Sequence, residues 1–102
     1  MAQWIYRIEP TRPEMVAAAT DEEAAVVAEH FGYLQALKGA GILILAGRTQ
    51  VDEGTFGITI FEAPDEESAR AVMLTDPAVA TGIMRAQLYP YAVAVARDSL
   101  AD

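Results

Sequence analysis

The chain has one histidine and no cysteine, so proton transfer near neutral pH rests on His30 and whatever carboxylate stands beside it. Thiolate nucleophiles, disulfides and Cys-based metal sites are excluded, and one histidine cannot build a multi-histidine metal site within one chain. His30 recurs at three- and four-residue spacing with Val27, Phe31, Leu34 and Leu37, which a helical period places on one apolar face. A ring in that position is either a buried histidine satisfied by a carbonyl or a tyrosine such as Tyr33, or a general acid or base. Asp76 precedes Pro77, the arrangement of a capping aspartate followed by proline at the first helical position. The same carboxylate could reach the first helix and orient His30, fixing its tautomer and raising its basicity. The two roles are compatible. Arg48 and Arg85, two of only seven basic residues, could bind an anionic substrate bidentately or pair with surplus surface carboxylates. Asp52, Glu53, Asp65, Glu66 and Glu67 read as turn and cap acids, and Gly54, Gly57 and Gly82 lack the spacing of a phosphate loop.

These residues need elements to hold them. Residues 4–8, rich in aromatic and β-branched side chains, predict a first strand that stops at Glu9-Pro10. Thr20 followed by Glu23, with acids between, predicts a capping box opening a long helix that runs to Gly39 and Gly41. The apolar run 42–46 predicts a buried strand, and 55–61 a third strand joined to it as an antiparallel hairpin. Asp65 caps a second helix over 66–74, Asp76-Pro77 opens a short helical turn, and a last strand is expected from 83 or 85 to 96, with Pro90 at a bulge or edge position. The order βαββαβ is the ferredoxin-like α+β pattern, an antiparallel sheet with helices on one face. Ile42, Ile44, Phe56 and Ile58 then leave the uncovered face apolar, and a second copy of the chain is the simplest cover.

The 102 residues and 11.0 kDa suit a single domain, 1–102, and the 53% hydrophobic content supplies a core. Fifteen acidic against seven basic residues give a net charge of −8, which repels nucleic acid and anionic membrane. No secretory signal or membrane-spanning run is evident, so a soluble cytoplasmic protein is expected.

The segments His30-Phe31-Gly32-Tyr33-Leu34, Leu37 with Gly41, Leu45-Ala46-Gly47, Gly54-Thr55-Phe56-Gly57 and Asp76-Pro77-Ala78-Val79-Ala80-Thr81-Gly82 together resemble the YCII-related family. The resemblance spans most of the chain. It implies a dimeric α+β barrel with an active-site pocket, in which His30 and Asp76 stand at the family's histidine and aspartate. One activity known in that family is elimination of chloride from a chlorinated hydroxyquinol-type aromatic. Arg48 departs from the pattern, since many members carry proline after the glycine. The expectation is therefore a small lyase- or isomerase-type enzyme needing no metal or cofactor. His30 and Asp76 would be catalytic, with Arg48, Arg85 and Tyr33 contacting a small organic, aromatic-type ligand. The alternative is a non-catalytic ligand-binding or accessory homodimer.

Overall fold

A computed structural model describes residues 1–100 of the chain. Its elements are β1 (Ala2–Pro10), a 3-10 turn (Pro13–Val16), α1 (Asp21–Gly39), β2 (Leu43–Arg48), β3 (Gly57–Ala63), α2 (Glu66–Thr75), α3 (Pro77–Ala80) and β4 (Met84–Tyr91). The four strands form one antiparallel sheet in the order β2-β3-β1-β4. This is the expected α+β, ferredoxin-like arrangement, with the two long strand-to-strand crossovers made by helices.

Local chemistry fixes the ends of these elements. Thr20 accepts from the Glu23 amide while the Glu23 carboxylate accepts from the Thr20 amide, the reciprocal pair foreseen for α1. Arg12 adds a bidentate clamp on the same carboxylate, Nε to Oε2 at 3.0 Å and Nη2 to Oε1 at 2.6 Å. Gly41 ends the helix region with φ of 75°, a conformation that side chains with a Cβ disfavour. Asp65 caps α2 by accepting from the Ser68 amide at 2.8 Å.

The register separates the two faces of the sheet. Trp4, Tyr6 and Ile8 of β1 lie opposite Phe61, Thr59 and Gly57 of β3, and opposite Pro90, Leu88 and Ala86 of β4. Trp4, Tyr6, Ile8, Phe61 and Ala63 pack with Ala69 and Met73 of α2 into the core, joined by Ile42, Val72, Val79 and Leu88. The Tyr6 and Phe61 rings meet edge to face at 5.7 Å between centroids. Gly57 allows β1, β2 and β3 to close up, because a Cβ there would lie 3.3 Å from both the Gly47 carbonyl oxygen and Ile8 Cγ1.

Several expectations need correction. β4 ends at Tyr91 rather than 96, because Gln3↔Tyr91 is its last pairing with β1. Val95 is accordingly exposed. β1 runs through Pro10, since β3 stops pairing at Ile8 and asks for no donor beyond it. β2 and β3 each begin and end later than expected, and a bulge lies between Leu43 and Leu45. Ile42 packs with the helix-side core instead of the open face. Among the described residues, no helix is long and apolar enough to cross a membrane.

Candidate active site

Three elements bring the site together. On α1 the buried and half-buried positions are Glu23, Val26, His30, Tyr33, Leu34 and Leu37, so His30 lies on the face turned toward the protein. Val27 and Phe31 were expected on that face but are 38% and 61% exposed; they form an apolar shoulder beside His30 instead. Asp76 sits between α2 and α3, with no accessible surface. Tyr6 rises from the middle of β1 on the helix side of the sheet and is equally inaccessible.

Asp76 is the hub. His30 Nδ1 lies 2.8 Å from both carboxylate oxygens, the Tyr6 hydroxyl donates to Oδ2 at 2.7 Å, and the Ala78 amide donates to Oδ1 at 2.9 Å. The aspartate thus caps α3 and holds the histidine at once. A carboxylate only accepts, so its contact with His30 places the proton of the neutral ring on Nδ1 and leaves Nε2 with a lone pair. Among the described residues no hydrogen bond engages Nε2, and no buried side-chain polar atom lacks a partner. With its side chain 15% exposed, His30 therefore turns Nε2 toward solvent. A ring anchored through one nitrogen and open at the other can take up and return a proton.

The surroundings keep the neighbouring phenols protonated. Burial first, and then the hydrogen bond and charge of Asp76, push the Tyr6 hydroxyl far above its ordinary value, against a smaller opposing effect of Thr59. Tyr33 is raised too, by burial and then by the Asp76 charge. Its hydroxyl donates to the Val72 carbonyl at 2.7 Å, so the tyrosine paired with the site is Tyr6, while Tyr33 fastens α1 to α2. Tyr6 was missed from the sequence, although the alternation Trp4, Tyr6, Ile8 pointed it inward, where a phenol needs an acceptor.

The two arginines lie elsewhere. Arg85 projects from the sheet face opposite the helices, since its neighbours Met84 and Ala86 pack against the core, and it pairs with Glu9 at 3.5 Å. Together with Arg7, Glu9 and Gln87 it lines a hollow of about 500 Å³. Arg48 is exposed at the end of β2, beside a hollow of about 290 Å³ lined also by Leu45, Phe56 and Ile58. Neither arginine makes an ion pair or hydrogen bond with His30 or Asp76 among the described residues. Nor do three or more His, Cys, Asp or Glu side chains gather as metal ligands there.

The YCII-related domain model matches residues 4–90, a stretch holding every residue of this site. The chain belongs to the YCII-related domain family. Among solved structures, this YCII-related chain is similar to 5-chloro-2-hydroxyhydroquinone dehydrochlorinase from Burkholderia phenoliruptrix AC1100 in complex with 2,5-dihydroxybenzoquinone. The TM-score is 0.65 at 22% identity, covering 90% of this chain and 94% of that one. That likeness establishes a shared α+β fold. A variant of SnoaB, a cofactor-independent oxygenase from Streptomyces nogalater, matches at TM-score 0.46 and 13% identity, over 99% and 97% of the two chains. No curated protein matches the chain.

Proposed function

We propose that the protein is a small enzyme of lyase or isomerase type in which His30 is the general base and Asp76 its orienting partner. The observation that carries this reading is the His30 ring, tied through Nδ1 to a wholly buried carboxylate at 2.8 Å and unengaged at Nε2. In the reaction Nε2 takes a proton from a carbon or hydroxyl of the substrate, and the electron pair left behind forms a new π bond. In an elimination a leaving group such as halide departs with its bonding pair. In an isomerisation the imidazolium returns the proton at another carbon. Asp76 stabilises the imidazolium throughout without itself taking the proton.

The substrate class we infer is a small organic molecule with an aromatic or quinol-like ring. Two things support it: the apolar shoulder of Val27 and Phe31 next to His30, and the quinone bound by the structurally similar dehydrochlorinase. We further propose a homodimer formed sheet to sheet. The open face carries Ile5, Ile58 and Ile60 at its centre, with Leu45, Tyr89 and Tyr91 from 42% to 47% exposed around them.

The test is to incubate the chain in D₂O with hydroxylated and halogenated quinols, 5-chloro-2-hydroxyhydroquinone among them, following carbon-bound deuterium and released chloride. Exchange or release is expected, falling by roughly 10²- to 10⁴-fold in His30→Ala. Ligand binding with neither exchange nor release, in wild type and His30→Ala alike, would instead make the protein a non-catalytic ligand-binding dimer.

A further inference from the structure

The His30–Asp76 pair is held from beneath by a residue outside it. Tyr6 comes from the sheet, has no accessible surface, and places its hydroxyl 2.7 Å from Asp76 Oδ2. The Ala78 amide fixes the other oxygen at 2.9 Å. Between them these two donors set the carboxylate's rotation, so that both oxygens stand 2.8 Å from His30 Nδ1. We propose that Tyr6 is a positioning residue, whose hydroxyl aims the Asp76 carboxylate at His30 Nδ1 and takes a share of its charge. The proposal rests on the reading of His30 as a base.

The chemistry works in one direction. A carboxylate with fewer donors concentrates its charge on the nearest remaining one, and an adjacent imidazole then gains more from being protonated. A protonated histidine cannot abstract a proton, so a base needs an orienting anion whose charge is shared out. Tyr6 can share it without competing for the proton, because burial and Asp76 itself keep the phenol from ionising.

The groups that face the pair leave this role to Tyr6. From α1 comes Tyr33, whose hydroxyl is spent on the Val72 carbonyl. From β3 comes Thr59, which bears on Tyr6 rather than on His30. β4 and α2 contribute the apolar Leu88, Ala86, Val72 and Met73. Glu23, two turns earlier on α1, is held by Arg12.

The experiment is an NMR titration of the ring protons of His30, the chain's one histidine, in wild type, Tyr6→Phe and Tyr33→Phe. Tyr6→Phe retains the ring that packs against Phe61 and removes only the donor. Loss of that donor should move the His30 midpoint upward by about 0.5–1 pH unit, a roughly three- to tenfold change in proton affinity. Tyr33→Phe should leave the midpoint in place. An unchanged midpoint in folded Tyr6→Phe overturns the proposal while leaving His30 free to be the base. A raised midpoint in a protein that turns nothing over supports the role of Tyr6 and removes the base reading instead. Should Tyr6→Phe not fold, the Tyr6 hydroxyl proton in the wild type decides: its shift should move as His30 titrates, and indifference to that titration contradicts the proposal.

Discussion

At the scale of the residue, Asp76 shows why type and spacing suggest a site without completing it. An aspartate before proline needs only one donor to act as a cap, and the Ala78 amide supplies it. His30 and Tyr6 bring the donors on this buried carboxylate to three, and one cap does not account for the other two. The residues alone left His30 as either a satisfied buried ring or a base, and Asp76 as either a cap or its partner; the resemblance to the YCII-related family is what paired them, and the structure shows them 2.8 Å apart. The identity of the tyrosine was not legible. Tyr33 is close to His30 in sequence, yet its hydroxyl reaches Val72; Tyr6 is 70 residues from Asp76, and only the folded sheet brings them together.

At the scale of the element, α1 was placed correctly but its rotation was misjudged. Alanines and valines are spread so evenly round the helix that the apolar pattern barely prefers one face. Val27 and Phe31 therefore looked as buried as Val26 and Tyr33. What chooses the rotation is polar: the clamp of Arg12 on Glu23 and the reciprocal cap with Thr20 pin the first turn, and His30 follows seven residues later on the same face. Arg12 first, then the Thr20 amide, pull the Glu23 carboxyl down from 4.5 to about 2. Because the folded value lies below the unfolded one, this contribution to stability is complete above about 4.5 and lost as pH falls toward about 2. Wild-type Tm should accordingly fall more steeply over that range than the Tm of Glu23→Gln, which has no carboxyl to titrate there. Parallel Tm curves would show that the clamp contributes nothing to the fold.

At the scale of the whole molecule, the α+β arrangement followed from the element order βαββαβ, whereas the ends of the strands depended on pairing partners no local pattern reveals. Val93 and Val95 have strand-forming side chains, but the pairing of β4 with β1 stops at Gln3↔Tyr91, short of both. The open face is the larger consequence. A buried Ile60 flanked by half-exposed Ile5 and Ile58 is poorly served by water, and a second copy laid on it should bury roughly 2,000 Å² or more in total. Light scattering should then report twice the 11.0 kDa of the chain; a folded monomer at micromolar concentration would contradict this. Such a dimer leaves the helix-side His30 on the far side of the sheet from the contact, so the proton chemistry stands or falls on one chain. The measurement that reaches it most directly is the tautomer of His30, read by NMR from the two ring nitrogens of ¹⁵N-histidine-labelled protein at a pH where the ring is neutral. A protonated Nδ1 with a bare Nε2 is the expected result, and a neutral ring carrying its proton on Nε2 would contradict the claim that Asp76 orients His30 as a base.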